Sequence, residues 1–300
     1  MATEALLAEF AAQSFVVLPS LLPAATVEAL NAAIDADMAA APASWALSTP
    51  QSGGLAAGCD GELLERSTGF DALLRHPTIV ELAARILGPG AQLCGFSALH
   101  REPMTEPIEG RLTEVQNTGV MATVPTAGDG ADPRALSRVW HREDIGVVAG
   151  AADNEYFVPS LQAIFYLTDV GPEDHCFTII KESAEEKRAL PTRYHDAGRP
   201  LVIDDEATDA PRSWVEWRDY LGRPATRRPG TVAIHAPRGS CILFNNCSWH
   251  ACTVRRTEHT RRTLHLRFRN PEPLDSAHGI SGFSTVAEFA ASLPPRLAAL

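Results

Sequence analysis

Residues 140–144 read WHRED, and residues 241–250 read CILFNNCSWH. The reading of these two stretches decides the fold. Short apolar runs around them alternate with turn residues, so both belong on strands. On a strand, residues two apart point to the same side. His141 and Glu143 therefore project together, an imidazole beside a carboxylate. His250, delivered 109 residues later by a neighbouring strand, adds a second imidazole. Two histidines and one carboxylate occupy one face of an octahedral metal and leave the other positions open, the arrangement suited to a non-haem Fe(II) oxygenase.

Around these stretches the chain divides in two. The first 90 residues read as mainly helical. A short apolar strand at 15–18 is stopped by Pro19. An amphipathic helix follows over 24–39, with Val27, Leu30, Ile34 and Met38 at helical spacing. A glycine-containing segment holds Gly53, Gly54, Gly58 and Gly61. A second helix covers 77–87 and ends before Gly88-Pro89-Gly90. From residue 91 the pattern predicts an antiparallel β core, with strands at 92–99, 137–145, 160–168, 176–180, 232–236, 241–244, 249–254 and 262–268. The stretch 123–133 is rich in Gly, Pro, Ala and Asp and reads as a loop. The stretch 194–230 reads as a long irregular insertion. It contains Trp214, Trp217 and Tyr220, which are either loop anchors or substrate contacts, and a lid over a binding site is its natural use. A closing helix is expected near 285–293. With no internal repeat, the 300 residues are expected to form one domain: a helical flank (1–90), a β core (91–270) and a tail (271–300).

Composition excludes several functions. Lys and Arg number 26 against 37 Asp and Glu, a net charge of -11. A nucleic-acid-binding surface needs a basic face to displace counterions, and a polybasic membrane anchor is equally disfavoured. No apolar run is long enough to span a bilayer. The opening residues lack a basic region ahead of an apolar stretch, so no signal peptide is expected and the cytoplasm is the expected compartment. The six cysteines are scattered, which fits free thiols in a reducing compartment. Cys247, His250 and Cys252 lie close together, but a structural zinc site needs a second ligand pair that the sequence lacks.

Residues 260–268 read TRRTLHLRF. Leu264, Leu266 and Phe268 share one side of a strand with Arg262. Arg261, Thr263, His265 and Arg267 share the other. If the apolar side packs under helices, Arg261 points into a polar cavity. A guanidinium fork there suits a dicarboxylate, because bidentate pairing fixes both position and plane. The bland alternative leaves Arg261 and Arg262 as surface cations. His235, His259 and His265 carry no assigned role.

At this point the chain resembles the phytanoyl-CoA dioxygenase family of Fe(II)/2-oxoglutarate oxygenases. FVVLPSLLP (15–23) looks like the family's opening strand and turn. WHRE (140–143) sits where the family has its His-x-Asp motif. LQAIFYLTD (161–169) and PED (172–174) resemble the following strand and turn. PRGSCILF (237–244), leading to His250, resembles the glycine turn and strand before the distal metal histidine. Arg261 follows His250 by 11 residues, the family spacing of the arginine that binds the 2-oxoglutarate distal carboxylate. The resemblance implies a double-stranded β-helix, a jelly-roll or cupin-like barrel flanked by helices. It implies Fe(II) as cofactor, held by His141, Glu143 and His250, with 2-oxoglutarate and O2 as cosubstrates. Arg261 would anchor 2-oxoglutarate, with Gln162 and Cys252 as further contacts. The implied activity is hydroxylation of a small organic molecule, with specialised metabolism as a candidate setting. Desaturation, cyclisation, epoxidation and halogenation at the same iron remain open, as does a cupin-like protein that binds without turnover.

Three departures from the family pattern bear on the site. Glu143 replaces the usual Asp, adding a methylene, and the adjacent Asp144 could ligate only through a bulge. With neither as ligand, a position would open for halide. The turn at 175–183 (HCFTIIKES) matches the family poorly. Cys252 stands where a hydroxyl often helps hold the cosubstrate.

Overall fold

Helix α1 (Ala2–Gln13) leads through strand β1 (Phe15–Leu18) to helix α2 (Ala24–Ala40). Strands β2 (Ala46–Leu47) and β3 (Leu55–Cys59) precede helices α3 (Asp60–Arg66), α4 (Asp71–Leu74) and α5 (Pro77–Leu87). The strands that follow are β4 (Gln92–Arg101), β5 (Leu112–Val115), β6 (Val120–Thr123), β7 (Ala135–Arg138), β8 (Ser160–Tyr166) and β9 (Cys176–Ile180). Then come β10 (Pro200–Asp204), β11 (Trp217–Asp219), β12 (Ala225–Pro229), β13 (Thr231–Ile234), β14 (Cys241–Asn245), β15 (His250–Arg255) and β16 (Arg261–Arg269), before helix α6 (Val286–Ser292). This computed structural model describes residues 2–47, 55–103, 112–115, 120–123, 135–138, 160–181, 200–204, 217–219, 225–229, 231–246, 248, 250–255, 257–269 and 286–297.

The architecture is mainly antiparallel sheet with helices. Seven strands form the larger sheet in the order β1-β14-β8-β16-β4-β3-β2, and four form a second in the order β13-β9-β15-β7. One side of the larger sheet lies under the helices. Leu161, Ala163 and Phe165 of β8, Leu243 of β14, and Leu264, Leu266 and Phe268 of β16 form one core with Val27, Leu30 and Ile34 of α2 and Ile79 and Leu82 of α5. The other side faces the second sheet. There Ile164, Tyr166, Ile242 and Phe244 pack with Phe177, Ile179 and Ile234. Tyr166 joins the two sheets: its hydroxyl donates to the Ile234 carbonyl (3.0 Å) and accepts from the Phe177 amide (3.1 Å). Strands covered on both sides lose the polar alternation of a half-exposed strand, and every residue of β14 is buried.

Local chemistry sets the helix ends. Pro23 enters α2 from extended backbone, and α2 buries Val27, Leu30, Ile34 and Asp37 along one stripe. Pro77 occupies the first turn of α5, where its missing amide costs nothing, and Gly88 terminates that helix at φ 101°. Gly239 makes the turn into β14 at φ 85°, and a Cβ there would lie 2.5 Å from the Leu22 carbonyl oxygen. That carbonyl belongs to the residue whose own amide donates to Gly239 (2.9 Å), so the turn and the approach to α2 are locked together.

The strands expected at 92–99, 160–168, 176–180, 232–236, 241–244, 249–254 and 262–268, with β1 and helices α2, α5 and α6, are found close to their expected bounds. The strand expected at 137–145 lies, beyond Arg138, outside the described residues, and β5 and β6 were not expected. Three readings need correction. The glycine-containing segment supplies β3, which pairs with β4 near the edge of the larger sheet; Gly58 lowers strand propensity, but pairing with the neighbouring strand overrides it. The insertion at 194–230 is not irregular throughout: β10 and β12 form a parallel pair, and β11 pairs with β6. Turn-rich composition hid strands of three to five residues. The expected barrel is represented by two facing sheets and two small ones, without a closed barrel among the described residues. The loop expected at 123–133 lies, beyond Thr123, outside the described residues.

Candidate active site

Adjacent arginines on β16 separate the two sides of the larger sheet. Arg262 turns toward the helices. Its Nε donates to His100 Nδ1 (2.9 Å) and its terminal nitrogen to Asp35 of α2 (2.5 Å). The hydrogen bond from Arg262 holds the Asp35 carboxyl below the usual carboxylate range. Arg261 turns the other way, into the space between the sheets. It is 7% exposed, with its guanidinium carbon 5.3 Å from the centre of the Tyr166 ring. The parity expected from the sequence therefore holds for both residues.

His265 shares the inward side. Gln162 Nε2 donates to His265 Nδ1 (2.7 Å), which assigns the ring proton to Nε2, and Nε2 donates to Thr263 Oγ1 (2.9 Å). Burial, with Arg261 and Arg267 nearby, pushes its pKa down to about 3. Gln162, expected as a cosubstrate contact, lies on this inward side, where its hydrogen bond fixes the histidine ring.

His250 opens β15 opposite Ile179 and is 4% exposed. Its ring packs against Phe177 (centroids 5.6 Å apart) and edge-on to Phe244 (4.9 Å). Nδ1 donates to the Ser248 carbonyl (2.8 Å), which leaves the lone pair on Nε2. This is the tautomer and second-atom hydrogen bond that metal-binding histidines use. The donor chemistry thus fits a metal, and Arg261 fits a carboxylate on the same side. The other expected ligands, His141 and Glu143, and the alternative Asp144, lie outside the described residues, as do Cys247, Trp214 and Tyr220. Cys252 lies on β15, its backbone opposite Phe177. Trp217 lies on β11, opposite Ala122. Among the described residues no group of three His, Cys, Asp or Glu could hold a metal.

The sequence reading missed two residues of this space. Arg101 ends β4 directly opposite Arg261 and is 5% exposed. The alternation Ser97, Leu99, Arg101 was the available signal, but the expected strand stopped at 99. His175 was visible only as part of a poorly matched turn, yet it is fully buried. Burial, then the charges of Arg101 and Arg261, push its pKa to about 3. Beside it, Asp174 ties the turn before β9 to the segment before β16. One carboxylate oxygen accepts from Thr257 Oγ1 (3.1 Å) and His259 Nδ1 (2.7 Å), and the other from the Gly171 amide (2.7 Å). Burial raises the Asp174 carboxyl, but these hydrogen bonds outweigh it and hold it low.

The model of the family described as Phytanoyl-CoA dioxygenase (PhyH) matches residues 12–263. The chain belongs to the phytanoyl-CoA dioxygenase family. Solved structures share the fold of this PhyH-family chain at low identity. The non-heme alpha ketoglutarate dependent epimerase SnoN from nogalamycin biosynthesis aligns at TM-score 0.54 and 20% identity, covering 90% of this chain and 83% of SnoN. HygX from Streptomyces hygroscopicus, solved with nickel, 2-oxoglutarate and hygromycin B bound, aligns at TM-score 0.52 and 18% identity, covering 89% and 87%. The carbocyclase SnoK, also from nogalamycin biosynthesis, aligns at TM-score 0.52 and 15% identity, covering 90% and 84%. No curated protein matches the chain. No described helix is long and apolar enough to cross a membrane.

Proposed function

We propose that this PhyH-family chain is an Fe(II)- and 2-oxoglutarate-dependent oxygenase that hydroxylates a small organic molecule, on one double-stranded β-helix domain spanning residues 1–300. Iron(II) is its cofactor and 2-oxoglutarate and O2 its cosubstrates; SnoN and HygX, which share the fold, bind Fe3+ or nickel with that oxo acid. One observation carries the reading. His250, buried with its Nδ1 proton held by the Ser248 carbonyl, and Arg261, buried over Tyr166, both face the space between the two sheets.

His141 and Glu143 would complete the metal site with His250. Bound iron supplies the oxidative chemistry, coupling decarboxylation of 2-oxoglutarate to oxidation of the substrate. The chain's own residues do the rest. Phe177 and Phe244 exclude water around His250 and fix its ring plane. Ser248 holds its tautomer. Arg261 orients the dicarboxylate, with the Gln162 amide on the same side of the sheet and Cys252 as a further contact. Residues 194–230 select the substrate. SnoN, an epimerase, and SnoK, a carbocyclase, share this fold and favour a second reading in which the same site ends in a different oxidative outcome.

Incubation with Fe(II), O2, 2-oxoglutarate and candidate substrates tests both. Substrate-dependent succinate release is expected, with a product heavier by one oxygen. A product lighter by two hydrogens, or of unchanged mass, selects the second reading. No succinate with any substrate, together with no uncoupled turnover, indicates a binding protein.

A further inference from the structure

The inner wall of the larger sheet is sealed except at one patch. Along the inward sides of β8, β14 and β16 every residue is buried apart from Gln162 and His265, which keep partial exposure. The opening continues onto β4 at Ser97, opposite His265, and at Leu99, opposite Thr263. Cross-strand partners share a side of the sheet, so these residues form one surface. It adjoins the proposed metal site: Gln162 lies opposite Phe244, whose ring packs edge-on to His250 (4.9 Å). It also lies beyond Arg261, with His265 four residues further along β16, or roughly 13 Å.

None of the four side chains brings a charge. His265 has both ring nitrogens engaged, with Gln162 and with Thr263, and a pKa of about 3 keeps it neutral. Gln162 gives an amide hydrogen to that ring (2.7 Å), which fixes its amide, and its Oε1 is then buried without a donor among the described residues. A buried acceptor left unpaired is costly. A hydroxyl that enters over the exposed part of Gln162 relieves that cost, whereas an ionised carboxylate, which only accepts, does not. We propose that Ser97, Leu99, Gln162 and His265 form a substrate subsite that takes an uncharged, hydroxyl-bearing moiety, its O–H donating to Gln162 Oε1 and its apolar face lying on Leu99. This deepens the oxygenase reading above and rests on it. Ser97 adds a hydroxyl that can donate or accept, and Gln162 selects a hydroxyl over a carboxylate at this end of the substrate.

Probes that share one ring test it: cyclohexanol, which can donate; methoxycyclohexane, which can only accept; and cyclohexanecarboxylate, which only accepts and is charged. Each is titrated by ligand-observed NMR into the full chain loaded with Ni(II) and saturating 2-oxoglutarate. Cyclohexanol is expected to bind tightest, by roughly 3- to 10-fold over either analogue, the value of one hydrogen bond to an otherwise unpaired acceptor. Gln162→Leu should abolish that preference. Leu99→Trp, which fills the patch from β4, should weaken all the probes and serves if Gln162→Leu does not load Ni(II). Equal binding of the probes, a preference for the carboxylate, or no binding by any of them overturns the proposal. So does a preference that survives Gln162→Leu, or undiminished binding in Leu99→Trp. Failure of the oxygenase reading shows separately, as wild-type protein that takes up neither Ni(II) nor 2-oxoglutarate.

Discussion

The two sides of β16 are built from the same nine residues and do opposite work. One side carries Leu264, Leu266 and Phe268 into the helix-covered core, and its single charge, Arg262, reaches the exposed Asp35 of α2. The other side carries Arg261, Thr263, His265, Arg267 and Arg269, and its three arginines are all buried below one-tenth exposure. The first side repays burial with apolar area. The second pays desolvation without that return, the usual mark of a site kept for binding rather than for stability.

Breaking the first side costs the most stability. Leu266→Ala should destabilise the fold by about 2–5 kcal/mol, because it deletes a fully buried side chain and leaves a cavity under the helices; chemical denaturation measures it. Breaking the second side should move function instead. Arg261→Met should raise the 2-oxoglutarate KM on the order of 100-fold, the loss of a bidentate charged contact, while costing less stability than Leu266→Ala. Succinate release against cosubstrate concentration checks it.

Acid should distinguish the sides next. His175 and His265 are neutral in the folded protein down to about pH 3. In the unfolded chain each takes a proton near pH 6.5. Between those values unfolding binds protons, so stability is complete above pH 6.5 and falls as pH drops toward 3. The slope is about 1.4 kcal/mol per pH unit for each histidine. His265→Asn should remove one histidine's share of that slope in denaturation curves taken from pH 7 to 4. The smallest effect belongs to Arg262→Ala. Its Asp35 partner is 61% exposed, so the pair is worth less than about 1 kcal/mol. The 2-oxoglutarate KM should not move. A large KM effect at Arg262 with none at Arg261 would reverse the comparison.

Much of this was legible in the sequence because period-two alternation survives one-sided burial. The placement of Arg261 and Arg262 on opposite sides came from residues 260–268 alone. So did α2, from Val27, Leu30 and Ile34 at helical spacing. The edge strand β3 was not legible, since Gly58 and its small neighbours supply no apolar alternation. Nor were β10 to β12, which are shorter than the window in which a pattern can be told from chance. His175 escaped because the charges that act on it, Arg101 on β4 and Arg261 on β16, come from elements far away in sequence. Arg101 escaped because a strand end was set two residues early, and a two-residue error at a strand end hides one inward side chain.

In the proposed site His250 would help hold Fe(II), with 2-oxoglutarate bound beside Arg261. Anaerobic titration of the Fe(II)-loaded protein with 2-oxoglutarate tests it most directly, read by the visible charge-transfer band of a 2-oxo acid chelated to ferrous iron. A saturable band is expected in the wild-type protein, with its loss in His250→Ala and a shift of its midpoint to higher 2-oxoglutarate concentration in Arg261→Met. A wild-type protein that develops no band, or a band that survives unchanged in His250→Ala, would contradict it.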